Sequence, residues 1–319
     1  MNFHLQFPTI PCVEKLNYSQ SSFFMGSCFA ENIGDTMQQF KFKTIVNPHG
    51  ILYNPLSIAV ALRRYMKSDF VTESELFFAN DCWNSWEHHS RFSNPDQQNC
   101  LLEINKNISD AHVSLKNAEW LFITFGSAFV YRKNNKLVSN CHKQPQKEFL
   151  KQLLNPSDII DAYTSLMMEL KKFNPKLKIV FTISPVRYVR DGVVENNLSK
   201  ARLIDAVHQL KNDAAFYFPA YELVIDDLRD YRFYKEDMVH PNEQAVKYVF
   251  DKFRNSFFDE STDSLFETIN EILLAKKHKP FNADSTSHKK FKNNFLQRIQ
   301  SIQTQHPYLD LRAEQTYFS

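Results

Sequence analysis

Short apolar runs and amphipathic stripes alternate along this chain. Residues 22–25 form a first apolar run, and residues 29–40 follow with Ile33, Met37 and Phe40 on one helical face. Residues 43–46 read as a second strand, and residues 55–66 as a helix with Pro55 at its first position. Residues 120–125 lack polar alternation, which predicts a strand buried on both faces. Residues 130–139 predict a β-hairpin turning at Asn134-Asn135. Residues 157–173 predict a helix capped by Ser157 and stopped by Asn174-Pro175. A fourth strand over 177–183, a helix over 199–211, a fifth strand over 216–224 and a helix over 242–257 complete the pattern. Strands separated by helices join through right-handed crossovers into a parallel sheet. The expected fold is therefore a three-layer α/β/α domain around a flavodoxin-like, parallel five-stranded sheet.

Two segments break the alternation. Residues 68–107 show no sustained period and predict an irregular insertion carrying Trp83 and Trp86. Beyond residue 258 two helical stretches, 264–277 and 288–303, predict a C-terminal helical extension (259–319) appended to an α/β domain (1–258). Its basic clusters, Lys276-Lys277-His278-Lys279 and Lys289-Lys290, are diluted by Asp259, Glu260, Asp263 and Glu267. That mixture predicts helices packed on the core or on a second subunit, and not a nucleic-acid or membrane arm.

Composition narrows the class. The chain has 319 residues, near the upper size for one hydrophobic core, and its 43% hydrophobic and 23% charged residues are those of a folded soluble protein. A net charge of +2 gives no reason to expect nucleic acid or an anionic membrane as partner. No run approaches the roughly 20 apolar residues of a membrane span. The first residues, Met1-Asn2-Phe3-His4-Leu5-Gln6, lack the pattern of a secretory signal. Five cysteines, Cys12, Cys28, Cys82, Cys100 and Cys141, are an odd number without disulfide-like spacing, so a reducing cytoplasm is expected.

The chemistry begins with glycine. Only five are present, and Gly26, Gly50 and Gly126 each follow a predicted strand, where an open α/β sheet brings backbone N–H groups to a ligand. Ser27 and Cys28 come next after Gly26, and both side chains can attack an acyl carbon. Cys28 is expected as N-cap of a helix starting at Phe29, where the helix dipole favours its thiolate; the alternative is a buried, inert thiol. Asp237 and His240, three apart and ahead of Pro241, can pair so that the carboxylate holds one imidazole nitrogen and the other takes the nucleophile's proton. Ser27 or Cys28 is then expected within hydrogen-bond reach of His240. Glu87-His88-His89 and Cys141-His142, with Cys28 and His240, have zinc-ligand chemistry but no ligand spacing, so no metal is predicted. His89 and His142 are read as structural residues or substrate contacts. Arg187, Arg190, Arg229 and Arg232 form either an anion clamp or an ion-pair network with Asp191, Glu195, Asp227 and Asp230.

Gly26-Ser27-Cys28-Phe29-Ala30 resembles the name-giving motif of the GSCFA-domain proteins, bacterial proteins grouped with the SGNH or GDSL-type hydrolases. The likeness runs on through Asn47-Pro48-His49-Gly50-Ile51-Leu52-Tyr53-Asn54-Pro55, Asn140-Cys141-His142-Lys143, Ser184-Pro185-Val186-Arg187, Arg229-Asp230-Tyr231-Arg232-Phe233 and Asp237-Met238-Val239-His240-Pro241. The resemblance implies an SGNH-like fold and a covalent acyl-enzyme. Cys28 falls on the nucleophile's position, Gly50 on the block supplying an N–H, and Asp237 with His240 on the Asp-x-x-His block. Two positions depart from the superfamily pattern: Cys28 stands where Ser is usual, with Ser27 one place earlier, and Ala128 of Gly126-Ser127-Ala128 stands where an Asn amide completes the oxyanion hole. Ser127 and Asn140 are the candidate replacements. The implied activity is ester hydrolysis or acyl transfer on a small-molecule, carbohydrate or lipid ester, with no cofactor and with possible assembly through the C-terminal helices. The alternative is a non-catalytic ligand-binding protein on a hydrolase scaffold.

Overall fold

The computed structural model describes residues 7–8, 11–212 and 215–319; residues 1–6, read as lacking a secretory signal, lie outside them. Five parallel strands form the central sheet: β1 (Ser21–Gly26), β2 (Lys43–Val46), β3 (Trp120–Phe125), β4 (Lys178–Ile183) and β5 (Ala215–Tyr217). Their spatial order is β5-β4-β3-β1-β2, with Ser22 opposite Trp120 and Gly26 opposite Thr124 in the β1–β3 pair. This is the flavodoxin-like order. The chain leaves β1 in one direction to β2 and then crosses to β3 on the other side, so a crevice opens past the carboxyl ends of β1 and β3.

The strand pleat distributes the core between two layers. Along β1, Phe23 and Met25 face one side and Phe24 the other. The first side is covered by α2 (Pro55–Lys67), α3 (Gln97–Asn117), α4 (Pro156–Phe173) and α5 (Val193–Leu210), through residues such as Leu62, Ile108, Leu166 and Leu203. The second is covered by α1 (Cys28–Gln39) and α6 (Glu243–Phe257), joined by α7 (Glu260–Lys277), α8 (Thr286–Gln305) and α9 (Arg312–Phe318). Aromatic rings fill this second layer: Phe24 stacks on Phe122 at 4.4 Å, and Phe253 meets Phe257 at 4.7 Å. The helical extension therefore shares one core with the sheet. Arg254 on α6 binds Asp263 and Glu267 of α7, each at 2.6 Å, and the buried Glu314 of α9 takes Lys41 at 2.8 Å and Lys276 at 3.1 Å. Among the described residues no helix is long and apolar enough to cross a membrane.

Several expected boundaries move. The segment 68–107 is more regular than its pattern suggests: Leu76–Ala79 pairs antiparallel with Cys82–Ser85, and α3 starts at Gln97 behind an Asp96 cap. One buried residue per turn, Cys100, Ile104, Ile108, Ala111 and Leu115, is a stripe too narrow to dominate its polar neighbours. Trp86 stacks on Phe77 at 3.6 Å and Trp83 meets Phe78 edge-on, so both indoles anchor this insertion. The fifth strand stops at Tyr217, because Pro219 ends it and residues 220–228 wind into a short α and then a π-helical stretch. Helix α4 is capped by Asn155 with Pro156 first, not by Ser157, and α5 begins at Val193 instead of Ser199. The hairpin Phe129–Lys133 with Lys136–Val138 forms as expected, with Asn134 and Asn135 at φ of 50° and 63°, and gains a third strand, Leu150–Leu153.

Candidate active site

Gly26 ends β1 at φ +130°, and a Cβ there would lie 2.0 Å from the Thr124 carbonyl oxygen of β3. Its N–H donates to Asn47 Oδ1 at 2.8 Å and its carbonyl accepts from Leu52 N at 2.9 Å, which fixes the motif after β2 against the end of β1. Helix α1 then starts one residue earlier than expected. Ser27, not Cys28, is its N-cap, with Ser27 Oγ accepting from Phe29 N at 3.2 Å and only 1% of the residue exposed. A hydroxyl oxygen accepts from the helix N–H groups better than a thiol does, so the cap falls to serine. Cys28 is left as the first helical residue, half-buried and free.

The resting thiol differs from the expected thiolate. Burial, and then the Glu31 carboxylate, push its pKa up, against the opposing pull of its own N–H, Lys200 and the Phe29 N–H. The favourable helix end is present, but desolvation outweighs it.

The loops after β2 and β3 lie beside this turn. Gly50 has φ +80° and abuts His89, whose Cβ would sit 2.1 Å from an added Cβ. Its N–H closes a turn onto Asn47 O at 2.7 Å, so the donor assigned to an oxyanion is already engaged. The N–H groups of Gly126 and Ser127 both donate to Tyr53 O, at 2.8 and 2.9 Å. Ser127 Oγ accepts from Phe129 N at 3.1 Å and lies 3.4 Å from Ser199 Oγ, while the buried Ala128 gives its N–H to Ser199 Oγ at 2.8 Å. The Cys28 N–H, by contrast, has no carbonyl acceptor among the described residues.

The Asp-x-x-His pair is formed. His240 Nδ1 is 2.7 Å from Asp237 Oδ2, and Asp237 Oδ1 accepts from the N–H groups of Val239 and His240, both at 2.9 Å. Those two N–H groups, His240 first, with the imidazole contact hold the Asp237 carboxyl at about 2. Arg187 fastens the loop: its N–H donates to Val239 O at 3.2 Å and its guanidinium lies 4.3 Å from the Tyr234 ring. His240 Nε2 makes no hydrogen bond among the described residues, so the expected contact with Cys28 or Ser27 is not made in this state. The arginine network is only partly as expected: Arg229 and Arg232 make long contacts with Asp226 and Asp230, while Asp191 pairs with Lys151.

A cleft of about 880 Å³ brings together four other candidates, His89, Ser127, Asn140 and His142, with Tyr53, Tyr131, Tyr188, Phe129 and Phe149. Its lining includes Lys143 and Arg190 and no carboxylate. Asn140 Oδ1 accepts from His142 N at 3.0 Å, which leaves the amide NH₂ without a partner among the described residues. His142 Nε2 donates to Ser85 O at 2.8 Å, and His89 Nδ1 caps a turn by accepting from Arg91 N at 3.2 Å. Tyr53 connects this cleft to the β1 turn, because it lines the cleft and packs with Ser27 around Gly126, where an added Cβ would lie 3.2 Å from Tyr53 Cδ1 and 3.4 Å from Ser27 Cβ. No group of three or more His, Cys, Asp or Glu among the described residues is arranged to hold a metal ion.

Behind the cleft His49 stacks on His88 at 3.9 Å, and His88 Nδ1 meets Ser85 Oγ at 2.9 Å. Burial, with Arg64 and His142, pushes His88 from 6.5 down to about 3. The unfolded chain binds this proton near 6.5 and the native fold only near 3, so stability is complete above 6.5 and declines as pH falls through that window. Urea unfolding is expected to show a loss of about 2 kcal/mol from His88 alone between pH 7 and pH 5, with a flatter profile for His88→Gln.

Lys200 is a site residue that the strand and motif pattern does not point to. It is 1% exposed, and its Nζ donates to the carbonyls of Gly126 and Ser184, each at 2.7 Å. The signal was present in the helix: Asn196, Ser199, Lys200, Leu203, Val207 and Leu210 share the buried stripe of α5, so a lysine occupies an inward position.

The family model of the GSCFA family matches residues 21–253, and that of the GSCFA domain protein, C-terminal domain, matches residues 269–319. No curated protein matches the chain in sequence. Among solved structures, a carbohydrate esterase family 3 from Talaromyces cellulolyticus is similar at 13% identity and a TM-score of 0.28, over 50% of this chain and 63% of that one. An acetyl xylan esterase from the rumen bacterium Butyrivibrio proteoclasticus is similar at 11% identity and a TM-score of 0.34, over 75% of this chain and 64% of that one. The chain thus spans less than two thirds of either structure.

Proposed function

The chain belongs to the GSCFA family, and from the chemistry of its β1 turn we propose that it hydrolyses or transfers an acyl ester through a thioester on Cys28. The observation that carries this reading is the division of labour in that turn: the Ser27 hydroxyl is buried and engaged as the α1 cap, whereas Cys28 is half-buried at the helix end with its thiol free. His240, oriented by Asp237, takes the thiol proton on its free Nε2 as the loop closes on substrate; such contacts are often loose before substrate binds. The sulfur adds to the ester carbonyl carbon, and the carbonyl oxygen becomes an oxyanion next to the Cys28 N–H. Collapse breaks the C–O bond, and the alkoxide leaves with the proton from His240. Water, or an acceptor alcohol in transfer, then cleaves the thioester by the same route. The neighbouring cleft supports a polar, carbohydrate-sized alcohol, since aromatic rings, amides and two cations line it without any carboxylate.

Iodoacetamide tests the reading. It is expected to inactivate ester turnover in step with alkylation of Cys28, with protection by substrate; full activity after stoichiometric alkylation would refute it. The oxyanion assignment has its own test. The free Asn140 amide makes it the better candidate for a second donor beside the Cys28 N–H, so Asn140→Ala is expected to lower kcat by about 10²-fold with KM nearly constant. Ser127→Ala is expected to lose less, because that hydroxyl already serves Phe129 N. Wild-type kcat in a folded Asn140→Ala would move the role elsewhere.

A further inference from the structure

The cleft beside the β1 turn carries an unbalanced charge. Arg190 and Lys143 line it, neither makes an ion pair among the described residues, and no carboxylate shares the lining. The acids closest to them in sequence are engaged elsewhere. Asp191 is paired with Lys151, whose ammonium also lies 4.2 Å from the Phe129 ring, and Glu148 takes Lys133 at 2.6 Å, with that ammonium 4.7 Å from the Trp86 ring. Burial keeps His89 and His142 below the usual imidazole range, so at neutral pH they neither add to this charge nor oppose it. Arg190 is exposed and rests on a neutral group: with the Gln146 amide turned so that its oxygen faces the guanidinium, that oxygen accepts from Nε at 3.1 Å and from Nη2.

Lys143 is presented at a conformational cost. Gln144 N donates to Cys141 O at 2.8 Å and closes a turn whose central residues, His142 and Lys143, have φ of 46° and 56°. Turns of this kind favour Asn and Gly, and neither stands here. Hydrogen bonds fasten His142 instead: its N–H donates to Asn140 Oδ1 at 3.0 Å, its Nε2 to Ser85 O at 2.8 Å, and its carbonyl accepts from Asn80 Nδ2 at 3.2 Å. A strained conformation persists where its surroundings over-determine it, and such places concentrate at functional sites. Lys143 and Gln146 are three residues apart, at most ~10 Å between their Cα atoms. The ammonium and the guanidinium that Gln146 holds can therefore converge on one group in the cleft.

We propose that Arg190 and Lys143 form a subsite for an oxyanion on the alcohol part of the substrate, so that the ester handled here belongs to an acidic sugar bearing a carboxylate or a phosphate. This deepens the reading of the Cys28 site and rests on it for the ester, whereas binding of the anion does not need the nucleophile. With Gln146 on the Nε edge, Arg190 keeps its Nη1–Nη2 edge for two oxygens of the ligand. Lys143 adds a point charge from the turn. Phe129 with Tyr131 and Tyr188, whose hydroxyls lie 3.1 Å apart, supplies an aromatic wall for the sugar ring.

The test is calorimetric titration of the intact protein with glucuronate, glucose 6-phosphate and glucose, none of which is an ester. At low ionic strength the better of the two anions is expected to bind about 10-fold tighter than glucose, and added salt should shrink that advantage. Which anion binds tighter identifies the acid group. Arg190→Gln and Lys143→Asn are each expected to weaken the anion by about 3-fold or more while glucose changes little. Both positions are exposed, and Asn suits the left-handed turn, so Lys143→Asn should also melt no lower than the wild type. Two anions that bind no tighter than glucose, or a preference that survives intact in both variants, would overturn the subsite. Anion binding that behaves as expected in a protein never acylated on Cys28 would keep the subsite and defeat the reading of Cys28, a separate failure.

Discussion

Cys28→Ala is expected to lower ester turnover by at least ~10³-fold, leaving only what binding and backbone donors provide. The fold should persist, since Cys28 is not the cap and its removal opens no large cavity. Ser27→Ala should behave in the opposite way. It removes the acceptor for Phe29 N at 3.2 Å and is expected to cost about 1 kcal/mol of stability, with the covalent chemistry intact. Steady-state kinetics with thermal unfolding on both variants separates the roles: a Ser27→Ala protein that is folded and inactive beside an active Cys28→Ala would transfer the nucleophile to Ser27.

Gly26→Ala is expected to give the largest loss of stability of any single methyl addition at the site, above about 4 kcal/mol. The added carbon would sit 2.0 Å from a backbone oxygen of β3, at φ +130°, and neither partner can move without breaking the β1–β3 ladder. Gly192 is the control, because it has φ +102° but nothing within 4 Å of an added Cβ. Gly192→Ala is expected to cost only about 1–2 kcal/mol of backbone strain. Urea denaturation midpoints of the two variants check the contrast; equal losses would mean that the close approach to Thr124 is not what fixes Gly26.

Gly26 illustrates what is legible in the sequence, whereas Gly192 is not singled out there. Scarcity of glycine marks Gly26, Gly50 and Gly126, and all three lie at the carboxyl edge of the sheet, Gly26 as the last residue of β1. Apolar runs mark β1, β3 and β4 accurately, because a strand buried on both faces has no competing pattern. The fifth was overextended: Phe216 to Val224 is apolar enough for a strand, but Pro219 lets it wind into a helix that fills the second layer. Helix α3 escaped because one buried residue per turn is a weak stripe. At the site, spacing brought Asp237 to His240 correctly, whereas cap identity turned on whether oxygen or sulfur accepts the Phe29 N–H. Hydrogen bonds that engage Gly50 N–H, or that draw Lys200 beneath Gly126, join loops distant in sequence and leave no local pattern.

The central claim is a thioester on Cys28, and trapping it is the most direct test. The protein, mixed rapidly with p-nitrophenyl acetate, quenched in acid and digested, is expected to carry a single acetyl group on Cys28. That group should form more slowly in His240→Ala and be absent in Cys28→Ala. An acetyl group on Ser27, or turnover of the ester with neither residue labelled at any time in the course, would contradict the mechanism.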